Sequence, residues 1–393
     1  VLAALLHDIG HLCEPTAETM PGLGIANHEH IGAEFLKQAG LLPDIAELVS
    51  MHVDAKRYLA ATRENYAAKL SPASTETLRL QGGPMSENEA RSFELERLFA
   101  AALQVRAWDE AAKDPEVDTA PVSSYRAMVR RHLAAPIGED ALKSWQDTGF
   151  LHITGWFDDD EMLRVKKATA LLEALPETPG KWMKYFEGNG RLCRIENFIQ
   201  FEPVFEEIAC GPATMNLLSH LMGQPAALFK EKINFKLPGG EGFAPHQDAP
   251  AFTSFDQHYH ITMMLSIDAS TRENGCLEIA PPVGLSTLDT NDDLTIRDDV
   301  ASLMDWQPVI TSPDDIVLFD SYLPHRSAKN EISSPRRALY ATYNRLAEGS
   351  VRERYFAKKR AEFPPDIERE PGRRYEPSVF NVGNPVNTDQ EKT

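Results

Sequence analysis

The sequence predicts a multidomain α + β protein: an all-α domain, then an all-β domain built as a sandwich or double-stranded barrel. Three observations carry this. The 393 residues, with 42% apolar and 25% charged side chains, have ordinary globular composition and exceed the usual length of one domain. Up to about residue 133, alanine, leucine and glutamate dominate and apolar residues recur at steps of three and four. From about residue 139, short runs of strand character separated by Gly, Pro and Asn take over.

In the first domain, residues 1–133, the helical periodicity is clearest in Ile31 to Leu36 and in Phe93 to Val105. The stretch from Ser71-Pro72-Ala73-Ser74 to Gln81-Gly82-Gly83-Pro84 is rich in breakers and predicts a loop. Ala134-Ala135-Pro136-Ile137-Gly138 predicts a short linker, residues 134–138. The second domain, residues 139–360, predicts one helix over Asp158 to Leu175 and strands at Ile233 to Leu237, His260 to Ile267 and Asp315 to Phe319. The tail, residues 361–393, is charged and proline-rich and predicts a surface wrap or disorder.

Forty Lys and Arg against 59 Asp and Glu leave a net charge of −19, which repels the phosphates of nucleic acids and anionic bilayers. Neither is expected as a partner. The apolar opening from Val1 to Leu6 is cut by His7-Asp8, too short for a membrane span or a signal core, so a soluble, cytoplasmic protein is expected. Four cysteines without a C-x-x-C pair fit a reducing compartment and read as packing residues. The chain opens at Val1 in the middle of a pattern, which reads as a fragment or a trimmed chain.

In the β half, His246-Gln247-Asp248 follows the turn Pro238-Gly239-Gly240-Glu241-Gly242, and His325 follows a later strand. Residues i and i+2 of a strand share a face, so His246 and Asp248 can grip one ion, with His325 supplied from a distant strand. Two histidines and one carboxylate on one face of an iron leave positions open for a chelating cosubstrate and oxygen. Arg336, eleven residues past His325, can hold the far carboxylate of 2-oxoglutarate. Lys230, Lys232 and Lys236 flank Asn234 on alternate positions and can form an anion site.

These motifs, with Phe243-Ala244-Pro245 before the triad, Glu273-Asn274-Gly275-Cys276-Leu277-Glu278 and His325-Arg326-Ser327, resemble the phytanoyl-CoA dioxygenase family of Fe(II)/2-oxoglutarate oxygenases. The resemblance implies a double-stranded β-helix (jelly roll) and Fe(II) on His246, Asp248 and His325. It also implies 2-oxoglutarate on Arg336 with Gln247 and Ser327, and O2 as co-reactant. One departure is Ala280-Pro281-Pro282-Val283-Gly284, where the family usually carries Pro-Gly-Ser-His.

In the helical half, His7-Asp8-Ile9-Gly10-His11, His28-Glu29, His52 and Asp109 form a spaced series. Adjacent His and Asp on a helix diverge by about 100°, so the imidazole can serve one metal while the carboxylate bridges to a second. With Leu70 to Ser74, Leu80 to Met85 and Arg106-Ala107-Trp108-Asp109, the series resembles the HD-domain superfamily. The likeness is to its mixed-valent diiron oxygenases that cleave the carbon–phosphorus bond of 1-hydroxy-2-aminoethylphosphonate. The resemblance implies an Fe(II)/Fe(III) pair on His7, Asp8, His28, His52 and Asp109, and a phosphonate among Lys56, Ser74, Thr77 and Arg106. Ser74 and Thr77 can alternatively cap a helix, and Lys56 can be a solvated charge. Such HD domains carry a further ligand histidine upstream of the His-Asp pair, so the domain reads as truncated at its N-terminus.

Together the halves form a sequence of reactions. Water finds no good leaving group on a carbon–phosphorus bond, so the adjacent carbon must be oxidised first. Hydroxylation at C1 of a small organophosphonate, 2-aminoethylphosphonate or an N-methylated analogue, would supply the diiron half, which would release phosphate. The rival readings keep a 2-oxoglutarate hydroxylase of another small molecule, with the HD half a phosphohydrolase or an inactive docking module. Oligomeric state leaves no signature in the sequence.

Overall fold

The computed structural model describes residues 1–14, 16–20, 22–112, 119–252, 255–280, 284–373, 375, 379–380 and 382. It divides into two compact units, Val1–Ala135 and Pro136–Thr393.

The first unit is helical: α1 (Leu2–Leu6), α2 (Gly10–Cys13), α3 (His28–Gln38), α4 (Pro43–Thr62), α5 (Pro72–Leu80), α6 (Glu87–Glu94), α7 (Phe99–Ala111) and α8 (Arg126–Arg131), with a two-residue strand pair, β1 (Thr19–Met20) and β2 (Gly24–Ile25). Pro43 sets the first turn of α4, whose Ile45, Ala46, Val49, Val53 and Leu59 are buried. Leu2, Leu36, Ile45, Val49 and Val105 share one core, each large side chain contributing about 1.5–3 kcal/mol on burial.

Three expectations need correction here. The breaker-rich stretch from residue 71 is not a loop throughout, because Ser71 accepts from the Ser74 amide as an N-cap and Pro72 occupies the first helical position of α5. The run from Phe93 to Val105 is two helices, broken between Glu94 and Phe99. His7 and Asp8 lie in the turn between α1 and α2 rather than inside one helix.

The second unit holds two antiparallel sheets, as the sequence predicts. The larger runs β3 (Phe150–Ile153), β11 (Ile316–Asp320), β8 (His260–Ser266), β13 (Arg336–Arg345), β6 (Ala226–Lys236), β5 (Leu192–Glu196), β4 (Met183–Phe186) in spatial order. The smaller runs β10 (Gln307–Val309), β9 (Leu277–Ile279), β12 (His325–Ser327), β7 (Phe243–His246). Alternation along β8 and β13 sends Ile261, Met263, Leu265, Leu339 and Ala341 into a core shared with the helices, and Met264, Ala338 and Tyr340 into a second cluster with Leu277, Val309 and Phe319.

Helices are more numerous than the single one expected. Beside α10 (Asp159–Ala174) stand α9 (Glu139–Thr148), α11 (Pro203–Cys210), α12 (Pro212–Met222), α15 (Arg352–Glu362) and the single turns α13 (Ala249–Phe252) and α14 (Asp298–Ala301). Proline at the first turn of α11 and α12 and glycine after α9 and α12 punctuate elements too short for periodicity to reveal. The tail is not wholly a surface feature: Phe363 and Phe380 are buried with Phe229, Phe252 and Tyr355. Pro281, Pro282 and Val283, in the departing loop, lie outside the described residues, as does most of the tail beyond residue 375. Cys193 and Cys276 are buried as expected of packing residues, whereas Cys210 is exposed.

Candidate functional site

In the second unit, β7 and β12 pair so that His246 faces His325 directly, with ring centroids 4.2 Å apart. β7 ends at His246, so Asp248 is not the next residue on a strand face; it sits in the turn leading into α13, where its carbonyl accepts from the Ala251 amide. The turn still brings its carboxylate round, and one donor atom from each of the three residues lies within 4.8 Å of the others.

The ring orientations are fixed by the backbone. His246 Nδ1 is 2.7 Å from the Ala244 carbonyl and His325 Nδ1 is 3.0 Å from that of Leu323. A carbonyl only accepts, so each Nδ1 carries the proton and each Nε2 keeps a lone pair. Burial and the neighbouring His325 ring push His246 down to about 3, so it is neutral at physiological pH. Burial opposes the charge on Asp248, yet the Lys230 ammonium holds its carboxyl well below the usual carboxylate range. Two neutral imidazoles and an ionised carboxylate match the donor set of a divalent iron.

The cavity at this triad is lined on one side by Lys230, Lys232 and Asn234 of β6 and by Tyr340 and Thr342 of β13. Thr262, Phe319, Leu277, Phe243 and Ser327 complete most of its wall. The Asn234 amide oxygen is buried without a partner among the described residues. Arg336 is 2% exposed and has no carboxylate partner among them. Its Nε donates to Ser270 Oγ at 3.1 Å and its Nη2 reaches the Tyr340 hydroxyl at 3.4 Å, so it stands behind the lining rather than in it. Ser327 lines the cavity and accepts from Lys236 Nζ at 2.7 Å. Gln247 departs from its expected role as a cosubstrate contact. Its amide donates to the Ser286 and Tyr322 carbonyls and accepts from the Leu288 amide, so it buckles two loops together and has no donor left to offer.

In the first unit the five expected ligands converge. Asp8 Oδ2 lies 3.4 Å from His7 Nε2, which is 3.3 Å from Asp109 Oδ1. Asp8 Oδ1 lies 3.3 Å from His28 Nε2 and 3.7 Å from His52 Nε2. One carboxylate thus faces two donor groups, His7 with Asp109 and His28 with His52. The Ala4 and Val49 carbonyls fix Nδ1–H of His7 and His52, each at 2.7 Å. His52 Nε2 therefore presents a lone pair to His28 Nε2 at 3.1 Å and can accept from the Nε2–H tautomer of His28, whose Nδ1 has no hydrogen-bond partner among the described residues. Burial holds His52 down at about 3, so its ring is neutral at physiological pH. These donors fit one or two metal ions.

Around the cluster, Lys56 is buried and donates to Thr77 Oγ at 3.2 Å, so it is not a solvated charge. The cap of α5 is Ser71, not Ser74 or Thr77. Ser74 Oγ pairs with Ser71 Oγ at 3.0 Å. Arg106 binds Asp109 at 2.5 Å and the Tyr66 hydroxyl at 2.9 Å, and its Nη2 is buried without a partner among the described residues. Sequence reasoning passed over His11, which closes the same motif as His7, stacks on His28 at 4.0 Å and lies beside Asp8, with its Nδ1 accepting from the Ile25 amide. It also passed over Tyr340, although the two-residue period of β13 places Tyr340 on the face of Arg336.

Fold and sites define a two-unit protein, a helical His/Asp cluster and a jelly roll bearing a His/Asp/His triad. The family models for the HD domain and for phytanoyl-CoA dioxygenase match residues 1–100 and 145–338. The chain is 50% identical over 252 residues to 2-aminoethylphosphonate dioxygenase of an uncultured bacterium, covering 62% of this chain and 95% of that protein. It is 39% identical over 231 residues to methylphosphonate hydroxylase of Gimesia maris, covering 57% of this chain and 87% of that one. It is also 39% identical over 140 residues, 35% of this chain and 70% of the relative, to [1-hydroxy-2-(trimethylamino)ethyl]phosphonate dioxygenase (glycine-betaine-forming) of Leisingera caerulea. The chain belongs to the phytanoyl-CoA dioxygenase family, with an HD domain ahead of that region.

Proposed function

We propose that the second unit hydroxylates a small organophosphonate, 2-aminoethylphosphonate or an N-methylated analogue, at C1, and that the first unit oxidatively cleaves the product's carbon–phosphorus bond. The observation that carries the reading is the pairing within one chain. The chain is similar over 252 residues to a dioxygenase named for 2-aminoethylphosphonate and over 140 residues to a dioxygenase named for a 1-hydroxy-2-aminoethylphosphonate derivative. One half makes the kind of compound that the other consumes.

In the second unit, His246, Asp248 and His325 would hold Fe(II), their orientation preset by the Ala244 and Leu323 carbonyls. Bound iron with 2-oxoglutarate and O2 supplies the oxidising power: one oxygen atom enters a C–H bond and the other leaves in succinate, with loss of CO2. Arg336, a buried cation without a carboxylate partner among the described residues, is suited to the cosubstrate's far carboxylate, with Tyr340 and Ser327 bordering it. Phe319, Leu277 and Phe243 exclude water from the reacting carbon.

In the first unit, His7, Asp8, His28, His52 and Asp109 would hold an Fe(II)/Fe(III) pair, with Asp8 offering one oxygen to each side. Arg106 orients Asp109, and Lys56 offers a cationic donor for a phosphonate, positioned by Thr77, whose hydroxyl accepts from it and donates to the Ser74 carbonyl.

The test follows phosphorus. The purified chain is incubated with Fe(II), 2-oxoglutarate, O2 and 2-aminoethylphosphonate and watched by phosphorus NMR. A shifted phosphonate signal followed by free phosphate is expected. A shifted phosphonate that persists would remove the role given to the first unit, and an unchanged spectrum with every phosphonate offered would remove the whole reading.

A further inference from the structure

Lys230 and Lys232 are placed oddly for a folded protein. They stand two residues apart on one face of β6, both line the cavity of the metal triad, and no hydrogen bond or ion pair to either is found among the described residues. Their ammonium groups lie over aromatic rings instead. Lys230 Nζ is 4.4 Å from the centre of Phe252 and 5.7 Å from that of Tyr355, and Lys232 Nζ is 5.3 Å from that of Tyr340. A ring face steadies a cation less well than a carboxylate does, and two like charges on one strand face repel.

The anion that acts most on both is Asp248, one of the three triad donors, and Lys232 feels the repulsion of Lys230 more strongly still. A metal ion held by that carboxylate would use up its charge. The two ammonium groups would then face the cavity in excess. By contrast, Lys236 on the same strand face is saturated, donating to the Gly275 and Ala328 carbonyls and to Ser327 Oγ.

Position along the sheet separates this pair from the cosubstrate's end. In the β13–β6 register, Arg336 lies opposite Lys236, Tyr340 opposite Lys232 and Thr342 opposite Lys230. At about 3.3 Å per residue, the backbone positions of Arg336 and the two lysines are roughly 13–20 Å apart, and the Arg336 and Lys232 head groups approach Tyr340 at its hydroxyl and over its ring. Lys230 and Lys232 thus line the cavity itself, whereas Arg336 stands behind its lining at the Tyr340 hydroxyl.

We propose that Lys230 and Lys232 receive the dianionic head group of the organic substrate, and that together they select a phosphonate over a singly charged sulfonate or carboxylate. This rests on the reading of the second unit as a phosphonate hydroxylase. Phe252 of α13 and Tyr355 of α15 hold Lys230 from behind, so the C-terminal helix contributes to the shape of this subsite.

The experiment is anaerobic calorimetry on the full chain loaded with Fe(II) and 2-oxoglutarate. 2-Aminoethylphosphonate and its sulfonate analogue, 2-aminoethanesulfonate, are titrated into the wild type, Lys230→Met and Lys232→Met. Cosubstrate affinity and the thermal midpoint are measured on each. The wild type is expected to prefer the phosphonate. Each substitution is expected to weaken phosphonate binding about 10–100-fold, to shrink the preference over sulfonate, and to leave 2-oxoglutarate affinity within about threefold. Lys230→Arg is expected to retain more binding than Lys230→Met. Unchanged phosphonate affinity in both methionine variants, or loss of 2-oxoglutarate affinity instead, would overturn the assignment while leaving the hydroxylase reading in place. A wild type that neither binds nor turns over any phosphonate would overturn that reading, and the assignment with it.

Discussion

His246 and His325 are held from behind by main-chain carbonyls, so shortening either ring removes a donor while leaving the strands that carry it paired. His246→Ala and Asp248→Ala are each expected to lower succinate formation from 2-oxoglutarate at least about 100-fold and to abolish iron binding by the second unit, measured by metal analysis. Arg336→Ala is expected to spare iron and to raise the 2-oxoglutarate requirement about 10–100-fold, the cost of one charge-assisted contact. A residue outside the triad permits a stability test. Burial pushes the Asp320 carboxyl up to about 6, although its Oδ1 accepts from the Tyr322 and Leu323 amides. Between about pH 4 and 6 the folded chain therefore binds more protons here than the unfolded chain, and the contribution of Asp320 falls as pH rises through that window. Asp320→Asn retains an acceptor for both amides. Its stability relative to wild type is expected to be near zero at pH 4 and to climb to a plateau of about 1–3 kcal/mol above pH 7, read from denaturant curves at each pH.

At the scale of elements, α2 packs on the start of α3 because two glycines meet there. A Cβ on Gly10 would stand 1.9 Å from the His28 carbonyl oxygen and 2.8 Å from the Gly32 amide nitrogen. That close approach sets His7, Asp8 and His11 against His28, which gives the glycine in His7-Asp8-Ile9-Gly10-His11 a mechanical role. Gly10→Ala is expected to cost at least about 1–3 kcal/mol by overpacking and to abolish metal uptake by the first unit while iron loading of the second unit is retained. The series His7, Asp8, His28, His52 and Asp109 could be read from the sequence through its resemblance to the HD-domain pattern, and the structure brings these side chains together from the turn after α1, the start of α3, the middle of α4 and the last turn of α7. The identity of α5 could not, because its breakers, Ser71 and Pro72, are also good first-turn residues, and composition does not distinguish a loop from a capped helix start. Asp248 was placed on a strand because H-x-D fits the two-residue period, whereas the strand ends at His246 and a turn delivers the carboxylate. The Gln247 contacts were illegible, since all three partners belong to residues 39 to 75 positions away.

At the scale of the whole molecule, the two proposed oxidations in one chain make a prediction that neither unit makes alone. If the second unit supplies the first, damage to each must be visible at a different point along the path of phosphorus. His246→Ala removes a donor of the triad and leaves the His/Asp cluster of Val1–Ala135 untouched. Asp8→Ala removes the carboxylate that faces both donor groups of that cluster and leaves the triad untouched. In the NMR assay with 2-aminoethylphosphonate, Asp8→Ala is expected to accumulate the 1-hydroxy compound without phosphate and to form succinate at the wild-type rate. His246→Ala is expected to leave 2-aminoethylphosphonate unchanged, yet to release phosphate when the 1-hydroxy compound is supplied. Mixing the two variants restores phosphate from 2-aminoethylphosphonate, because the intermediate is a small, soluble zwitterion that can diffuse between chains. Phosphate from the Asp8→Ala variant alone would show that the cluster is not needed for cleavage. Failure of the mixture, with each variant active in its own step, would show that the intermediate must pass within one chain.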